Sequence, residues 1–172
     1  MKVVNLFAGP GAGKSTTRAG LFYLMKQAGL NVEETTEYAK DLTWDNNTSI
    51  LSDQLYILAK QNRKLQRIKN KVDFALTDAP LLLNLHYTPL EYLPLNYRHM
   101  VFELWDTYDN LNFLIRRVKR YNPIGRNQTE DQARVIDIKI QELLDHNKIK
   151  YAEIVGDSTA PEKIFSCIKE LL

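Results

Sequence analysis

The sequence predicts a single doubly wound α/β domain over residues 1–172, with a parallel sheet of about five strands and helices on both faces. Short apolar runs rich in β-forming residues alternate with amphipathic helical patterns along almost the whole chain. The strand-like runs are continuously apolar, as in parallel strands buried on both faces. At 172 residues, with 44% hydrophobic residues, the chain is long enough for one core.

The predicted strands are short segments bounded by turn residues. They lie at 3–8, 31–36, 73–77, 112–115 and 151–155. The first ends at a glycine cluster, and the third ends before Pro80, which cannot continue the ladder. In an open parallel sheet, ligands bind beyond the carboxyl ends of the strands. The loops that follow the strands are therefore the places where a site is expected.

Between the strands, the spacing of apolar residues predicts five helices. They cover about 13–28, 47–71, the stretch after Pro94 to 108, 129–147, and 159 to the end of the chain. Gly29 is the expected left-handed stop of the first helix. Thr129 and Gln132 fit a capping box at the start of the fourth helix.

The 47–71 segment is predicted to be one long amphipathic helix. Its apolar face is assigned to Leu51, Leu55, Leu58, Leu65 and Ile68. Its opposite face carries a basic stripe of Lys60, Lys64, Arg67 and Lys71.

Composition excludes several classes of protein. No apolar stretch approaches the roughly 20 residues that cross a bilayer, so no membrane partner is expected. The single cysteine, Cys167, cannot close an internal disulfide, and a reducing, cytoplasmic compartment is predicted. The net charge of +2 argues against coating nucleic acid by bulk charge. His86, His99 and His146 lie far apart without metal-ligand spacing to the cysteine.

The loop after the first strand is rich in glycine. It reads Ala8-Gly9-Pro10-Gly11-Ala12-Gly13-Lys14-Ser15-Thr16. This is a Walker A pattern with Ala8 at the first glycine position. Glycines let successive backbone N–H groups turn toward a phosphate, and the helix that follows directs its positive dipole end at the same anion. An unliganded strand-to-helix turn is disfavoured by eight residues in register.

These loop residues are predicted to bind the phosphates of ATP. The nucleotide-binding set is Gly9, Gly11, Ala12, Gly13, Lys14, Ser15 and Thr16. Lys14 would reach the β- and γ-phosphates, and Ser15 would bind Mg²⁺. On this loop the chain resembles the P-loop nucleoside and nucleotide kinases. The resemblance implies a P-loop NTPase fold, a mobile arginine-bearing lid and phosphoryl transfer from ATP to a hydroxyl.

Carboxylates follow strands two and three. Glu37, with Lys40 and Trp44 after it, resembles the set in deoxynucleoside kinases whose glutamate accepts the proton of the attacking hydroxyl. Asp78 follows four mostly apolar residues, as in a Walker B strand whose carboxylate holds Mg²⁺. The two roles are interchangeable at this level, so the sequence leaves open which carboxylate is the base. The structural alternatives are a solvated Glu37 that begins a helix and an Asp78 that caps a turn.

The loop after strand four, at about 117–128, is the predicted lid. From Arg116 to Arg126 it holds five basic residues and no acid. The resemblance implies that arginines clamp the transferring phosphoryl group, and Arg116, Arg117, Arg120 and Arg126 are the candidates. A solvated charged surface is the simpler alternative. Gly156, after strand five, is expected near the adenine.

The acceptor is expected between the helix after strand two and the lid. Gln54 can pair a donor and an acceptor on a pyrimidine edge, as a helix glutamine of deoxynucleoside kinases does, and Arg63 lies on the same predicted helix. The resemblance implies that Glu37, Lys40 and Trp44 bind the acceptor as well. The segments 36–40 and 77–80 also resemble small phage-encoded P-loop kinases. Some of these phosphorylate 5-hydroxymethyluridine in phage DNA, and a basic stripe would suit a polynucleotide.

The 5-hydroxymethyluridine acceptor is thus the first expectation, and a free (deoxy)nucleoside or nucleoside monophosphate is the alternative. A nucleotide-dependent switch or ATPase module is the competing class. It would need effector surfaces for which 172 residues leave little room, and acceptor-dependent consumption of ATP separates the two. The sequence does not distinguish ATP from GTP, or a monomer from a dimer.

Overall fold

The computed structural model describes residues 1–89 and 96–171 and contains the predicted α/β fold. Its elements, in chain order, are β1 (Lys2–Phe7), α1 (Lys14–Gln27), β2 (Val32–Thr35), α2 (Tyr38–Trp44), α3 (Thr48–Ser52), α4 (Gln54–Ile68), β3 (Phe74–Thr77), α5 (Leu83–Tyr87), α6 (Tyr97–Asp106), β4 (Asp109–Arg116), α7 (Glu130–His146), β5 (Ala152–Val155) and α8 (Ala160–Lys169). Residues 90–95, where the third helix was expected to begin, lie outside the described residues. None of the described helices combines the length and apolar character that a membrane span requires.

The five strands form one sheet in the order β2-β3-β1-β4-β5. Every neighbouring pair is parallel, so the predicted sheet is confirmed. Parallel neighbours need long crossovers, which the helices supply. The carboxyl ends of all five strands therefore meet at one edge, where the phosphate loop and the other predicted site loops follow them.

Strand β1 separates two apolar layers. Val3 and Phe7 face the layer built by α4 to α7, whereas Val4 and Leu6 face the layer that contains α1 and α8. The Phe7 ring meets the Trp105 ring edge to face, with centroids 5.9 Å apart. Burying each large apolar side chain contributes about 1.5–3 kcal/mol. The strand that carries the phosphate loop is thus fixed from both sides.

The structure confirms two predicted helix ends and shows how the last helix begins. Gly29 follows α1 with φ +75°, and the capping box at α7 makes both reciprocal hydrogen bonds between Thr129 and Gln132. Thr159 does not cap α8 with its own side chain. Instead, the Asp157 carboxylate accepts hydrogen bonds from the Thr159 N–H at 2.8 Å and from its hydroxyl at 2.6 Å.

The long helix predicted over 47–71 is wrong in two respects. It breaks at Asp53 into α3 and α4, because the Asp53 carboxylate accepts the Tyr56 N–H at 3.0 Å and starts a new helix. Leu55, assigned to the apolar face, is 50% exposed. Gln54 and Gln61 are buried on the inward face instead, because that face borders a cavity and not only the core.

Candidate active site

The phosphate loop has the backbone of an anion cradle. Gly11 and Gly13 have φ of +77° and +107°, a region that side chains with a Cβ rarely adopt. Helix α1 begins at Lys14 without any side-chain cap, so its first N–H groups remain for a ligand. The Lys14 Nζ donates to the carbonyls of Ala8 at 2.7 Å and Gly9 at 3.1 Å. This geometry fits phosphate binding by the predicted residues.

Helix α7 braces the loop from behind. The Asp137 carboxylate accepts the Gly9 N–H at 2.6 Å and the Arg117 Nε at 2.7 Å. Arg117 also donates to the Pro10 carbonyl at 2.8 Å. Sequence reasoning missed Asp137, although a signal existed. A carboxylate at 137 falls on the helix face of the buried Ala133 and Ile140, where it needs a partner.

A cavity of about 450 Å³ extends from the phosphate loop to α3, α4 and α5, a volume typical of small-molecule sites. The charged side chains that line it, within the described ranges, are Lys14, Glu37, Lys40 and Arg126. Away from this charged group, the described lining is apolar or carries neutral amides and hydroxyls, as in Leu51, Leu58, Leu83, Gln54, Gln61, Asn84 and Tyr87. One end thus suits phosphates and the other an uncharged ring.

Glu37 ends the loop after β2 and directly precedes α2. Burial raises the pKa of its carboxyl, and the positive charge of Lys14 opposes that shift. Burial likewise lowers the pKa of Lys14, opposed by Glu37 and then Asp78. In the part of the chain that the structure describes, the Glu37 carboxylate accepts no hydrogen bond and forms no ion pair. No partner among the described residues therefore competes for the lone pairs of this carboxylate.

Asp78 is in a different state. It is 2% exposed, and one of its oxygens accepts from the Arg18 guanidinium at 2.9 Å. Arg18 also lies 3.2 Å from the Glu34 carboxylate, and the sequence analysis did not single it out. Asp78 and Ser15 line a second cavity of about 230 Å³. An Asp78 carboxylate held by an arginine is less suited to accept a proton than the unengaged Glu37.

The donor set of Ser15 and Asp78 fits Mg²⁺, which takes oxygen ligands. No group of three or more His, Cys, Asp or Glu side chains in the described ranges is placed to hold a metal ion. Mg²⁺ usually binds through one or two protein oxygens together with phosphates and water. The ion would balance the charge of the phosphate oxygens.

The four predicted lid arginines lie in different places. Arg126 lines the larger cavity, and Arg117 contacts the phosphate loop. Arg116 is held by Glu153 at 2.7 Å on the neighbouring strand, and the exposed Arg120 borders neither cavity. A Cβ on Gly156 would lie 3.0 Å from the Ala12 carbonyl, so this glycine packs beside the phosphate loop.

The predicted acceptor residues are also separated. Lys40 and Gln54 line the larger cavity, whereas the exposed Arg63 lines neither. Trp44 is 57% exposed and borders only the smaller cavity. Sequence reasoning missed Asn84, whose amide donates to the Gln54 carbonyl at 2.8 Å and to its side-chain oxygen at 3.1 Å.

The fold is that of the P-loop nucleoside kinases. Two structures of deoxyadenosine kinase from M. mycoides share it over nearly their full length. One, with the products dCMP and dCDP bound, has a TM-score of 0.58 at 18% identity, covering 99% of this chain and 100% of the other. The second, with dATP bound, has a TM-score of 0.55 at 19% identity, covering 99% of each chain. No family model and no curated protein matches the sequence.

Proposed function

We propose that this protein is an ATP-dependent kinase that transfers the γ-phosphoryl group to a hydroxyl of a free nucleoside. The observation that carries the proposal is the half-buried, unengaged Glu37 carboxylate, which lies with Lys14 at the charged end of the cavity. A carboxylate with a raised pKa next to the phosphate loop is suited to accept a proton from an attacking group. The likeness to deoxyadenosine kinases agrees with this acceptor.

The charge of Glu37 favours a hydroxyl acceptor over a phosphate acceptor. A hydroxyl must lose its proton when it attacks, so a nearby base assists it. The oxygens of a nucleoside monophosphate need no base, and a carboxylate beside them would repel their charge. The far end of the cavity, as far as it is described, offers only neutral side chains. Both ends therefore favour a nucleoside over its monophosphate.

Gln54 is the residue we assign to recognition of the base. Its amide nitrogen donates to the Leu51 carbonyl at 2.9 Å, and its oxygen accepts from Asn84 at 3.1 Å. A primary amide has two N–H groups and two lone pairs. One donor and one acceptor of Gln54 thus remain for the edge of an uncharged ring, and Asn84 fixes their orientation.

The remaining roles follow from position. The phosphate loop would bind the triphosphate, and Lys14 and Arg126 would neutralise the charge that develops on the transferring group. Ser15 and Asp78 would hold Mg²⁺. We assign the base to Glu37 and not to Asp78, because Asp78 is already paired with Arg18.

A second candidate acceptor is 5-hydroxymethyluridine within DNA, and one surface feature favours it. Tyr38 lines the cavity and meets Tyr56 edge to face, with centroids 5.9 Å apart. The Lys60 ammonium lies 5.1 Å from the Tyr56 ring centroid, and Lys64 lies 5.9 Å from that of Tyr38. Rings beside cations are a common platform for single-stranded nucleic acid.

The test is transfer from labelled ATP·Mg²⁺ to a panel of nucleosides, nucleoside monophosphates, plain DNA and DNA containing 5-hydroxymethyluracil. We expect labelled nucleoside monophosphate as the product, with Lys14→Ala inactive. Glu37→Gln should lower kcat about 10²- to 10⁴-fold, whereas Glu33→Gln, on the exposed side of β2, should not. Transfer to modified DNA alone would select the second candidate. Hydrolysis that is independent of every acceptor would instead identify an ATPase.

A further inference from the structure

We propose that Trp44 is a positioning residue, whose ring seats the lid at Gly125 and thereby holds Arg126 over the site that contains Glu37. The function of this contact rests on the proposed kinase activity, but its existence does not. Helix α2 and the lid loop between β4 and α7 meet at this point. The resemblance had implied a substrate-binding tryptophan, whereas the contact made by the ring is with the lid.

The contact between Trp44 and Gly125 leaves no room for a side chain at 125. A Cβ built on Gly125 would lie 2.6 Å from Cζ2 of the indole and 3.1 Å from Cε2 and Cη2. Gly125 has φ +69°, so the turn itself also favours glycine. Next to it, the Asn127 amide donates to the Thr43 hydroxyl at 3.4 Å. Two adjacent points therefore join the lid to the end of α2.

Helix α2 connects this contact to the proposed base. It begins directly after Glu37 and ends at Trp44, and its seven residues span roughly 10 Å. The distance between base and lid seat is thus set by two turns of one helix. Any displacement of the Trp44 ring would move the lid relative to Glu37.

Arg126 is the lid residue that this arrangement places. It follows Gly125 directly and lines the cavity, and its charge acts on both Glu37 and Lys14. Its Nε is buried and lacks a hydrogen-bond partner among the described residues. A buried donor without a partner is costly unless a ligand supplies an acceptor. A phosphate oxygen between Lys14 and Arg126 would supply one.

The 57% exposure of Trp44 agrees with this role. A tryptophan that served core packing would be mostly buried. Here the indole ring borders the smaller cavity and contacts the lid at Gly125. Truncating it would remove the lid seat while leaving the two apolar layers intact, and this makes the contact testable without unfolding the protein.

The first test is limited trypsin digestion of the free protein, which requires no substrate. Trp44→Ala should accelerate cleavage after Arg120 and Arg126 on the order of tenfold, because a released lid is open more often. Cleavage after Lys69, in the turn that follows α4, should stay unchanged and serves as the internal reference. Trp44→Phe, which keeps a ring, should restore most of the protection. Equal lid cleavage in wild type and Trp44→Ala would overturn the proposal.

The second test compares two glycine variants. Gly125→Ala should lower kcat roughly ten- to hundredfold through displacement of Arg126, with little change in the KM of the acceptor. Gly29→Ala is the matched control, because Gly29 has a similar φ of +75° with nothing within 4 Å of its Cβ position. The double variant Trp44→Ala/Gly125→Ala should lose less activity than the two single losses combined, since both changes disrupt one contact, although the strain of an alanine at φ +69° remains.

The two tests fail separately. If the wild-type protein transfers no phosphoryl group but Trp44→Ala still exposes the lid to trypsin, the proposed function is wrong and the lid contact stands. If the wild-type protein is an active kinase and Gly125→Ala behaves like Gly29→Ala, the contact does not position Arg126 and the inference is wrong.

Discussion

Two neighbouring arginines offer a direct test of how burial determines the strength of an ion pair. Arg117 pairs with Asp137 and Arg116 pairs with Glu153, each at 2.7 Å. The side chains of the first pair are 4% and 25% exposed, and those of the second are 51% and 45% exposed. We predict that Asp137→Ala is strongly destabilising and that Glu153→Ala is not.

The magnitude follows from what each change leaves behind. Asp137→Ala removes the acceptor of the Gly9 N–H and of the Arg117 Nε. Breaking a buried pair costs about 3–5 kcal/mol, and because Asp137 is one quarter exposed, the lower end applies. Breaking an exposed pair costs about 0–1 kcal/mol. At this chain length, 3 kcal/mol corresponds to a fall in Tm of roughly 6–12 °C.

Urea unfolding of the wild type and the two variants measures both losses, with an unchanged m-value as the sign that the transition is comparable. The double variant Asp137→Ala/Arg117→Met should recover part of the loss, because no buried guanidinium is left unpaired. Equal losses for Asp137→Ala and Glu153→Ala would contradict this prediction, since the two ion pairs have the same length and differ in their burial and in the Gly9 N–H that Asp137 also accepts.

Three further predictions concern the site. Burial raises the native pKa of Glu37, so the ionised carboxylate lowers the stability of the native state as the pH rises from about 4 toward that raised pKa. Glu37→Gln should therefore be more stable than wild type at neutral pH and equally stable below about pH 4. Urea unfolding at both pH values measures the difference. Gly9→Ala places a Cβ 2.7 Å from the Ala133 carbonyl and should lower the free energy of unfolding by about 1–3 kcal/mol. It should also weaken nucleotide binding in calorimetry, whereas Gly29→Ala should leave the nucleotide affinity unchanged. Gln54→Ala should raise the acceptor KM in steady-state assays without changing that of ATP, and equal changes in both would contradict its assignment to the base.

Features that depend on neighbouring residues could be predicted from the sequence. The phosphate loop is one such feature, because its glycines, Lys14 and Ser15 are consecutive. The parallel sheet is another, since each strand and helix pattern is complete within a short segment. The capping box at Thr129 also follows from four residues alone.

Features that depend on distant partners could not be predicted. Arg116 and Arg117 are adjacent in a basic run, yet Arg116 pairs with Glu153 on β5 and Arg117 with Asp137 on α7. Successive side chains at the end of a strand point to opposite sides, so only one of the pair reaches the phosphate loop. Nothing in the run itself shows which one.

The break at Asp53 has a different cause. Apolar spacing favoured one continuous helix, but the aspartate side chain competes for a backbone N–H and starts a new helix. The restart directs Gln54 inward and leaves Leu55 exposed. A glutamine on the inner face is unfavourable in an apolar core but suitable at the wall of a cavity. The apolar spacing therefore gave a wrong helix prediction at the segment that lines the candidate site.

The decisive experiment is a crystal structure of the protein with a non-hydrolysable ATP analogue, Mg²⁺ and a nucleoside. We expect the γ-phosphate between Lys14 and Arg126, and a nucleoside hydroxyl about 2.6–3.2 Å from the Glu37 carboxylate. A triphosphate bound away from the phosphate loop, or a hydroxyl that contacts Asp78 in place of Glu37, would show that the proposed roles are wrong.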